Sequence, residues 1–235
     1  MLPIAILRFS PTEGPGHFAR WLDRQALAST LVPLDAGAVV PAQARAFAGI
    51  VMMGGPMGVN DDLPWIAPVT DLLRDAVAQR VPVLGHCLGG QLLAKALGAT
   101  VARAPTPEMG WIDVTIDAGD ARREWFGGRA AFKAFQWHYD AFAVPADGTR
   151  VATNPYTPAQ AFVVDDRHVG MQFHVEMTPA LIEDWIGSGA DELPARSSAA
   201  QQSAADIRAG VPMHLTALSA VADDVYARWA RGLVR

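Results

Sequence analysis

The amino-acid sequence predicts an α/β fold: an open, doubly wound, mostly parallel sheet with helices on both faces and added antiparallel strands. In the first half of the chain, short β-branched runs alternate with segments of helical periodicity, which is typical of a parallel sheet covered on both faces. In the second half, strand-like runs follow one another closely, which favours antiparallel pairing. Hydrophobic residues make up 51% of the 235 residues, enough to fill a large core.

Three strand–helix pairs account for most of the first hundred residues. Each predicted strand is a short apolar run, and each predicted helix places apolar residues three and four positions apart, as a helix with one buried face requires. The strands are predicted at residues 3–9, 49–53 and 81–85, and the helices at residues 17–28, 65–79 and 88–97. Gly98 is placed to end the last of these helices.

The second half of the chain is rich in predicted strands. They are expected at residues 111–116, 130–135, 150–154, 160–166 and 169–174. The sequence DDRHVG between the last two is typical of a hairpin turn. These strands are expected to extend the parallel sheet, some of them in antiparallel orientation.

Two further helices and a connector are predicted after the last strand. Thr178 and Pro179 are a typical helix start, and that helix is expected to stop at Gly187. A small, polar segment follows as a surface connector or mobile loop. A tail helix is predicted from Leu215 to Trp229, with one apolar face. We therefore expect a main domain over residues 1–186, with residues 187–235 as a connector and helical extension packed on it.

Composition and charge exclude several classes of function. The chain has 19 basic and 24 acidic side chains, a net charge of −5, and no Lys/Arg block, so neither nucleic acid nor an anionic membrane is an expected partner. No apolar run approaches the roughly 20 residues of a membrane span, and the N-terminus lacks the basic region of a signal peptide. With a single cysteine and no metal-ligand motif, we expect a soluble, cytoplasmic protein without a metal or another cofactor.

The single cysteine lies at a predicted strand-to-helix turn, in the sequence GHCLGG. This is the cysteine form of the nucleophile elbow, in which a tight, strained turn needs neighbours without a Cβ. The N-terminus of the following helix points N–H groups at the sulfur of Cys87 and favours the thiolate. The N–H of Leu88 is placed to bind a developing oxyanion. The alternative is a buried structural cysteine, the commonest fate of a lone cysteine.

The sequence QFHVE supplies a base and a group to orient it. His174 and Glu176 are two residues apart at the end of a predicted strand, so both side chains are expected on one face, with Val175 on the other. A thiolate nucleophile needs such a base, and the base needs an orienting partner. The alternative is an exposed histidine beside a solvated glutamate.

The loop GGPMGVND follows another predicted strand. Its two glycines, Gly54 and Gly55, let a ligand approach the backbone, and the N–H of Gly55 is a candidate second oxyanion donor. The loop lacks the Gly-Lys-Ser/Thr sequence of a phosphate loop. The alternative is an ordinary Gly-Pro turn.

Five motifs together carry a resemblance to a known family. GHCLGGQ, GGPMGVND, EMGW, QWHYD and QFHVE occur in the order and spacing of class I, or triad, glutamine amidotransferase domains, over about residues 1–186. The chain most resembles stand-alone proteins similar to the glutaminase domain of GMP synthase. The resemblance implies the α/β fold of that family and roles for ten residues. The implied roles are nucleophile for Cys87, general base and acid for His174, orienting carboxylate for Glu176, oxyanion donors for Gly55 and Leu88, and substrate binding for Gly54, Gln91, Gln136, Trp137 and His138.

Three positions depart from the family pattern. Val175 stands where proline is usual, Tyr139 where glycine is frequent, and Gly90 where a larger residue such as histidine is common. The spacing of the catalytic residues survives all three. Tyr139 is expected to narrow the substrate pocket or to change its amino-acid contacts.

The resemblance implies hydrolysis of the side-chain amide of glutamine to glutamate and ammonia through a γ-glutamyl thioester. A separate synthetase is the implied recipient of the ammonia, because we find no synthetase motif in the chain. Two alternatives stay open: a γ-glutamyl hydrolase acting on an amide of a small metabolite, and a catalytically silent scaffold or regulatory subunit. The remaining histidines receive structural interpretations, and His86 is expected to point away from the nucleophile.

Overall fold

A nine-stranded sheet forms the centre of the molecule, in the strand order β2-β1-β3-β4-β9-β8-β7-β5-β6. The computed structural model describes residues 2–234. The strands are β1 (Ile4–Arg8), β2 (Ser29–Pro33), β3 (Gly49–Met52), β4 (Val83–His86), β5 (Val101–Ile116), β6 (Ala131–Phe142), β7 (Gly148–Thr153), β8 (Ala161–Val164) and β9 (His168–Met171). The helices are α1 (Gly16–Gln25), α2 (Ile66–Ala78), α3 (Leu88–Ala96), α4 (Asp120–Phe126), α5 (Pro179–Ser188) and α6 (Ala204–Ala230), with short 3₁₀ helices at Leu34–Ala36, Ala44–Ala46 and Ala190–Glu192.

The first half of the chain builds a parallel sheet, as predicted. Strands β1, β2, β3, β4 and β9 pair in parallel, so that their carboxyl ends lie on one edge. The edge strand β2 was not predicted from the sequence. Its first three residues are exposed, so it lacks the apolar run that revealed its buried neighbours.

The second half adds antiparallel strands, which confirms the predicted fold class. The antiparallel pairs are β9 with β8, β8 with β7, β7 with β5, and β5 with β6. The predicted hairpin turn is present, with both Asp165 and Asp166 at φ 52°. The β5–β6 pair is much longer than the predicted segments 111–116 and 130–135. Its register shifts between Arg103 and Glu108, and the two prolines in that stretch had concealed the strand.

Helices cover both faces of the sheet. Helices α2 and α3 pack on one face, and α1, α4, α5 and α6 pack on the other. The short helix α4 was not predicted. Helix α6 begins at Ala204, eleven residues before the predicted start at Leu215, and Ser203 caps it by accepting a hydrogen bond from the Asp206 N–H. Gly210 and Pro212 had concealed the first turns.

The C-terminal helix shares its core with the rest of the fold. Most of its predicted apolar face is buried in the same cluster as α1: Leu218, Val221, Ala222, Val225 and Trp229. Gly210 lies against Trp111, because a Cβ at this position would meet the indole at 2.3 Å. The extension therefore packs on the main body, while the division at residue 186 stays a prediction.

The buried His168 makes stability depend on pH. It lies in β9, and neither ring nitrogen has a hydrogen-bond partner among the described residues. Burial lowers the pKa of His168 from 6.5 to about 4. The folded state therefore binds fewer protons than the unfolded chain between these values, so this stability is complete above about pH 6.5 and is lost as the pH falls towards about 4.

Replacing His168 by leucine is expected to remove this dependence. At pH 7.5 we expect nearly equal free energies of unfolding for the two proteins, whereas at pH 4.5 the variant should be more stable by about 2–3 kcal/mol. Urea unfolding at both pH values measures the difference in the free energy of unfolding between the two proteins. All other titrating groups are the same in both proteins, so their contributions cancel in this difference. If both proteins lost the same stability between pH 7.5 and pH 4.5, the low pKa of His168 would not be the cause of the pH dependence.

Candidate active site

Cys87 lies in a strained turn between β4 and α3, at the carboxyl edge of the parallel strands. Its φ of 45° and ψ of −105° are a conformation that non-glycine residues rarely adopt. The Cys87 N–H donates to the carbonyl of Met171 at 2.8 Å, which ties the turn to the neighbouring strand β9. Helix α3 begins at the next residue, so its N-terminus points at the cysteine. This is the geometry of a nucleophile elbow.

The elbow depends on close backbone contacts at the glycines. A Cβ at Gly85 would lie 2.4 Å from the carbonyl carbon of Gly89 and 2.5 Å from the nitrogen of Gly90. Gly90 is similarly confined, because its Cβ would lie 2.6 Å from the carbonyl oxygen of Met171. A side chain at position 90 would therefore meet the backbone of β9 in this structure.

A pair of glycine substitutions tests this packing. We expect Gly85→Ala to destabilise the fold by about 3 kcal/mol, because backbone atoms cannot rotate away from the new Cβ. Gly187→Ala, inside α5 and with nothing within 4 Å of its Cβ position, should be neutral or stabilising by up to about 1 kcal/mol. Chemical denaturation of both variants measures the difference. Equal stabilities would show that the elbow tolerates a side chain.

His174 and Glu176 form a buried hydrogen bond of 2.6 Å between Nδ1 and Oε1. The predicted strand 169–174 is wrong at its carboxyl end, since β9 stops at Met171 and the two residues lie in the segment that follows. Their contact therefore does not arise from strand alternation. Backbone hydrogen bonds to other segments hold these residues: the His174 N–H donates to the Phe135 carbonyl at 2.9 Å, and the Glu176 carbonyl accepts from the His17 N–H at 2.7 Å.

The charges of the pair support a general base. Burial alone would lower the pKa of His174, but the negative charges of Glu176 and of the Cys87 thiolate outweigh it and hold that pKa well above its ordinary value. Burial alone would raise the pKa of Glu176, but the imidazoles of His86 and His174 hold it below its ordinary value. Because the carboxylate only accepts, Nδ1 of His174 carries a proton and Nε2 is the nitrogen left for the cysteine and its substrate.

Two side chains that the sequence analysis missed hold Cys87 and His174 in place. The Gln172 amide donates to the sulfur of Cys87 at 3.4 Å, and its own carbonyl accepts from Gln91 at 3.3 Å. The Trp185 ring lies perpendicular to His174, with the ring centres 4.6 Å apart. Gln172 follows β9 directly and stands two residues before His174, a position that could have revealed it.

His86 supports Glu176 from behind. It points away from the sulfur, as expected, and its Nε2 lies 3.7 Å from Oε2 of Glu176. Nδ1 donates to the Met52 carbonyl at 3.2 Å, because a carbonyl only accepts. Burial lowers the pKa of His86, although the charge of Glu176 acts in the opposite direction, and the Tyr226 hydroxyl lies 3.3 Å from Nε2. Helix α6 thus contributes Tyr226 to the surroundings of the His174–Glu176 pair.

The two residues that carry the candidate oxyanion donors, Gly55 and Leu88, pack against each other. A Cβ at Gly55 would meet the Leu88 side chain at 2.6 Å, so the β3 loop packs against the start of α3. Gly55 lines the cavity in front of Cys87. The N–H of Leu88 belongs to the first helical residue, which has no intrahelical partner. Two backbone N–H groups beside a thiol are the donor set that an acyl-transfer site needs.

A cavity of about 490 Å³ opens in front of Cys87 and His174. Gln91, Trp137 and His138, three of the residues implied to bind substrate, line it. Gln91 donates to the Asp140 carbonyl at 3.0 Å, and the backbone carbonyl of Trp137 lies 4.0 Å from the cysteine sulfur. These residues are placed to contact a bound molecule.

The other two implied substrate residues lie outside the cavity lining. The structure corrects the expectation for the Gln136 side chain, which is fully buried and donates to Gln160 at 2.8 Å instead of reaching the cavity. At Gly54 a Cβ would meet the Glu13 carboxylate at 2.0 Å, so this glycine leaves room for a protein side chain. In strand β6, Gln136 therefore packs behind the cavity wall, and the next residue, Trp137, lines the cavity.

Tyr139 lines the cavity, so its side chain occupies space that a glycine at this position would leave open. Its hydroxyl and the Trp137 indole both donate to Glu192 at 3.0 Å. Burial and this hydrogen bond raise the pKa of Tyr139 to about 12. Glu192 belongs to the connector after α5, which therefore forms one wall of the cavity.

Residues 2–234 offer neither a cluster of metal ligands nor a membrane-spanning helix. This part of the chain contains no group of three or more His, Cys, Asp or Glu residues placed to hold a metal ion. None of its helices combines the length and the apolar character needed to cross a membrane.

Comparison with known proteins identifies the family. The family model for class I glutamine amidotransferases matches residues 18–184, more than half of the chain. This chain belongs to the class I glutamine amidotransferase family. The elbow, the His174–Glu176 pair and the cavity all lie within or beside the matched residues, and α6 lies beyond them.

Relatives of this amidotransferase-family chain include solved structures and curated proteins. A glutamine amido transferase from Methylobacillus flagellatus is 41% identical with a TM-score of 0.95, covering 100% of this chain and 97% of that one. A glutamine amidotransferase-like protein of Salmonella typhimurium is 28% identical over 77% of this chain and 78% of its own length. One subunit of the glutamine-hydrolysing GMP synthase of Sulfolobus acidocaldarius is 34% identical over 61% of this chain and 77% of its own length.

Proposed function

We propose that this chain is a cysteine-dependent amide hydrolase that converts glutamine to glutamate and ammonia through a γ-glutamyl thioester. The observation that carries the proposal is the position of Cys87 in a strained elbow, on the same cavity as His174, whose Nδ1 is bound to Glu176. Nucleophile, base and orienting carboxylate are the three groups that covalent acyl transfer needs.

The first half of the proposed reaction acylates the cysteine. The Cys87 sulfur attacks the side-chain carbonyl carbon, and the oxygen takes up the electron pair between the N–H groups of Gly55 and Leu88. When the tetrahedral intermediate collapses, the carbon–nitrogen bond breaks and His174 donates its Nε2 proton to the departing nitrogen. Ammonia leaves, and the γ-glutamyl group stays on the sulfur as a thioester.

The second half releases glutamate. Nε2 of His174, now without its proton, accepts one from water as the oxygen attacks the thioester carbonyl. Collapse of the second intermediate breaks the carbon–sulfur bond and returns the thiolate beside the imidazolium. Glu176 supports both steps, because it favours the charged ring and fixes the tautomer with Nε2 towards the reaction.

A γ-glutamyl amide with a larger amine is a second candidate substrate. The cavity of about 490 Å³ is in the size range that holds drug-sized ligands, and free glutamine leaves much of such a space unfilled. The same triad chemistry would release an amine in place of ammonia. The catalytically silent scaffold has no observation in its favour, because every group of the triad is present.

The relatives suggest a recipient for the ammonia. One is named as a subunit of GMP synthase, and the chain also matches 27% of the length of a GMP synthase from Aeropyrum pernix, at 35% identity. We propose a separate synthetase partner as the recipient if glutamine is the substrate. We also propose the reducing cytoplasm as the location, since Cys87 must remain a free thiol to act.

Release of ammonia and glutamate from glutamine tests the proposal. We expect both products in equal amounts from the wild-type chain and neither above background from Cys87→Ser. γ-Glutamyl amides assayed beside glutamine separate the two candidate substrates. Hydrolysis of the amides alone would select the second, and equal background rates in both proteins for every substrate would rule out both for the isolated chain.

A further inference from the structure

Glu13 is a half-buried residue whose carboxylate lies beside His174, and the proposed mechanism assigns it no role. It lies in the loop between β1 and α1, at the same sheet edge as Cys87. The point where a Gly54 Cβ would stand is 2.0 Å from Oε2 of Glu13 and 2.9 Å from Cε1 of His174. The carboxylate and the imidazole therefore flank the same small space, and Glu13 also lines the cavity.

The loop holds this carboxylate in a fixed position. The Glu13 N–H donates to the Ser10 carbonyl at 3.1 Å, and the Trp185 indole donates to the Thr12 carbonyl at 2.9 Å. At the far end of the loop, the His17 N–H donates to the carbonyl of Glu176 at 2.7 Å. The loop is thus tied at both ends to the segments that carry the catalytic residues.

The carboxylate itself has no protein partner in the described part of the chain. Its Oε2 atom is shielded from solvent and accepts no hydrogen bond from any residue between 2 and 234. Burying an unpaired carboxylate is unfavourable, so native proteins seldom keep one without a use for it. Burial and the nearby Glu176 raise the pKa of Glu13 to about 7, although His174 acts in the opposite direction.

The chemistry of the reaction places the departing amine next to this group. His174 must deliver the Nε2 proton to the leaving nitrogen, so that nitrogen lies within hydrogen-bond distance of Nε2. In an imidazole ring, Cε1 is bonded directly to Nε2, and Cε1 is the atom that faces the Glu13 side. A second nitrogen on the leaving amine, a few bonds farther on, can therefore reach the Glu13 carboxylate where this residue lines the cavity.

The rest of the cavity wall carries more acidic than basic side chains. Asp61, Asp140 and Glu192 line it together with a single guanidinium, that of Arg103. Arg103 lies over the Tyr139 ring at 4.3 Å and 4.0 Å from Asp140, so its charge is partly compensated. The balance of charge along the wall favours a cation in the cavity.

We propose that Glu13 binds the leaving amine, and that the preferred substrates are γ-glutamyl amides whose amine carries a second, positively charged nitrogen. This inference rests on the proposed function, and it names the substrate class of the same site. Glu13 is then a specificity-determining residue, because it contacts the part of the substrate that leaves. Gly54 acquires a role as well, since any side chain there would displace the Glu13 carboxylate.

Two amides of matched size test the proposal: γ-glutamyl ethylamide and γ-glutamyl 2-aminoethylamide, which differs by the terminal ammonium. At pH 8 we expect wild-type kcat/KM to favour the aminoethylamide about tenfold or more, the effect of a hydrogen bond to a charged group. Glu13→Gln should bring the ratio close to one. Glu183→Gln, which removes an exposed carboxylate on α5 that pairs with Arg208, should keep the wild-type ratio.

If Glu13→Gln does not fold, the wild-type protein alone still tests the proposal. The measured quantity is then the ratio of kcat/KM for the aminoethylamide to kcat/KM for the ethylamide at different pH values. The ratio should rise between pH 6 and pH 8 as Glu13 loses its proton, with His174 and Glu176 as the charged groups that act on it. Titration of Cys87 and His174 affects both amides equally and cancels. A wild-type ratio near one at pH 8, or an unchanged ratio in folded Glu13→Gln, would overturn the inference and leave Cys87-dependent hydrolysis intact. Failure of the proposed function differs, because neither amide nor glutamine would then be hydrolysed.

Discussion

Replacing Cys87 by serine is expected to lower kcat for glutamine hydrolysis by about 10⁴-fold or more, the size of loss seen when a triad loses its nucleophile. The serine hydroxyl occupies the same strained position, but it is a far weaker acid than a thiol. The imidazole of His174 cannot convert it to the reactive anion as readily. Steady-state release of ammonia measures the loss.

The Cys87→Ser variant should remain folded. The side chain is small and almost the same size, and the contacts that set the elbow come from glycine and backbone atoms, which do not change. Thermal unfolding is therefore expected to stay close to that of the wild type. Retained activity in a folded Cys87→Ser protein would eliminate Cys87 as the nucleophile and reduce it to a packing residue.

Replacing Glu176 by glutamine is expected to have the second-largest effect, a loss in kcat of about 10³–10⁴-fold. A glutamine amide can present its NH₂ group to Nδ1 of His174, which favours the wrong tautomer and places the proton on Nε2 of the neutral ring. The carboxylate charge that stabilises the imidazolium is lost as well. The main effect should fall on kcat, because Glu176 does not line the cavity.

The Glu176→Gln substitution should also shift the dependence of kcat on pH in a predictable direction. In the wild type, Glu176 helps to hold the pKa of His174 above its ordinary value. Without the carboxylate that pKa falls, so the imidazolium loses its proton at a lower pH. The alkaline limb of the residual kcat profile should move to lower pH. Glu124→Gln, an exposed carboxylate paired with Arg228, should leave rate and profile unchanged. A full rate in Glu176→Gln would contradict the orienting role.

The sequence predicted the elements whose physical requirements are local. The elbow at Cys87 was predictable because a strained turn between a buried strand and a helix needs glycine on both sides. The helix after Thr178 was predictable because its cap and first-turn proline are adjacent, and Thr178 does accept from the Leu181 N–H. Strand β2 and the long β5–β6 pair were missed, since exposure and prolines remove the apolar alternation on which such predictions depend.

Long-range contacts were not predictable in the same way. Glu13, His86 and Tyr226 come from the first loop, the fourth strand and the last helix, and they surround His174 and Glu176 only after folding. No periodicity links them. The position of Glu13 could have been predicted from one rule. The carboxyl ends of parallel strands share one edge of the sheet, so the loop after β1, which contains Glu13, lies near the elbow at Cys87. The His174–Glu176 contact was predicted correctly, but for the wrong reason. The prediction placed His174 at the end of a strand, whereas β9 ends three residues earlier, at Met171.

Mass spectrometry of the intact protein, quenched with acid during turnover of glutamine, tests the thioester most directly. We predict a γ-glutamyl adduct on the wild-type chain that maps to the peptide containing Cys87, appears within one turnover and is absent from Cys87→Ala. Steady release of glutamate and ammonia by a protein that never carries this adduct, or that carries it on another residue, would contradict covalent catalysis by Cys87.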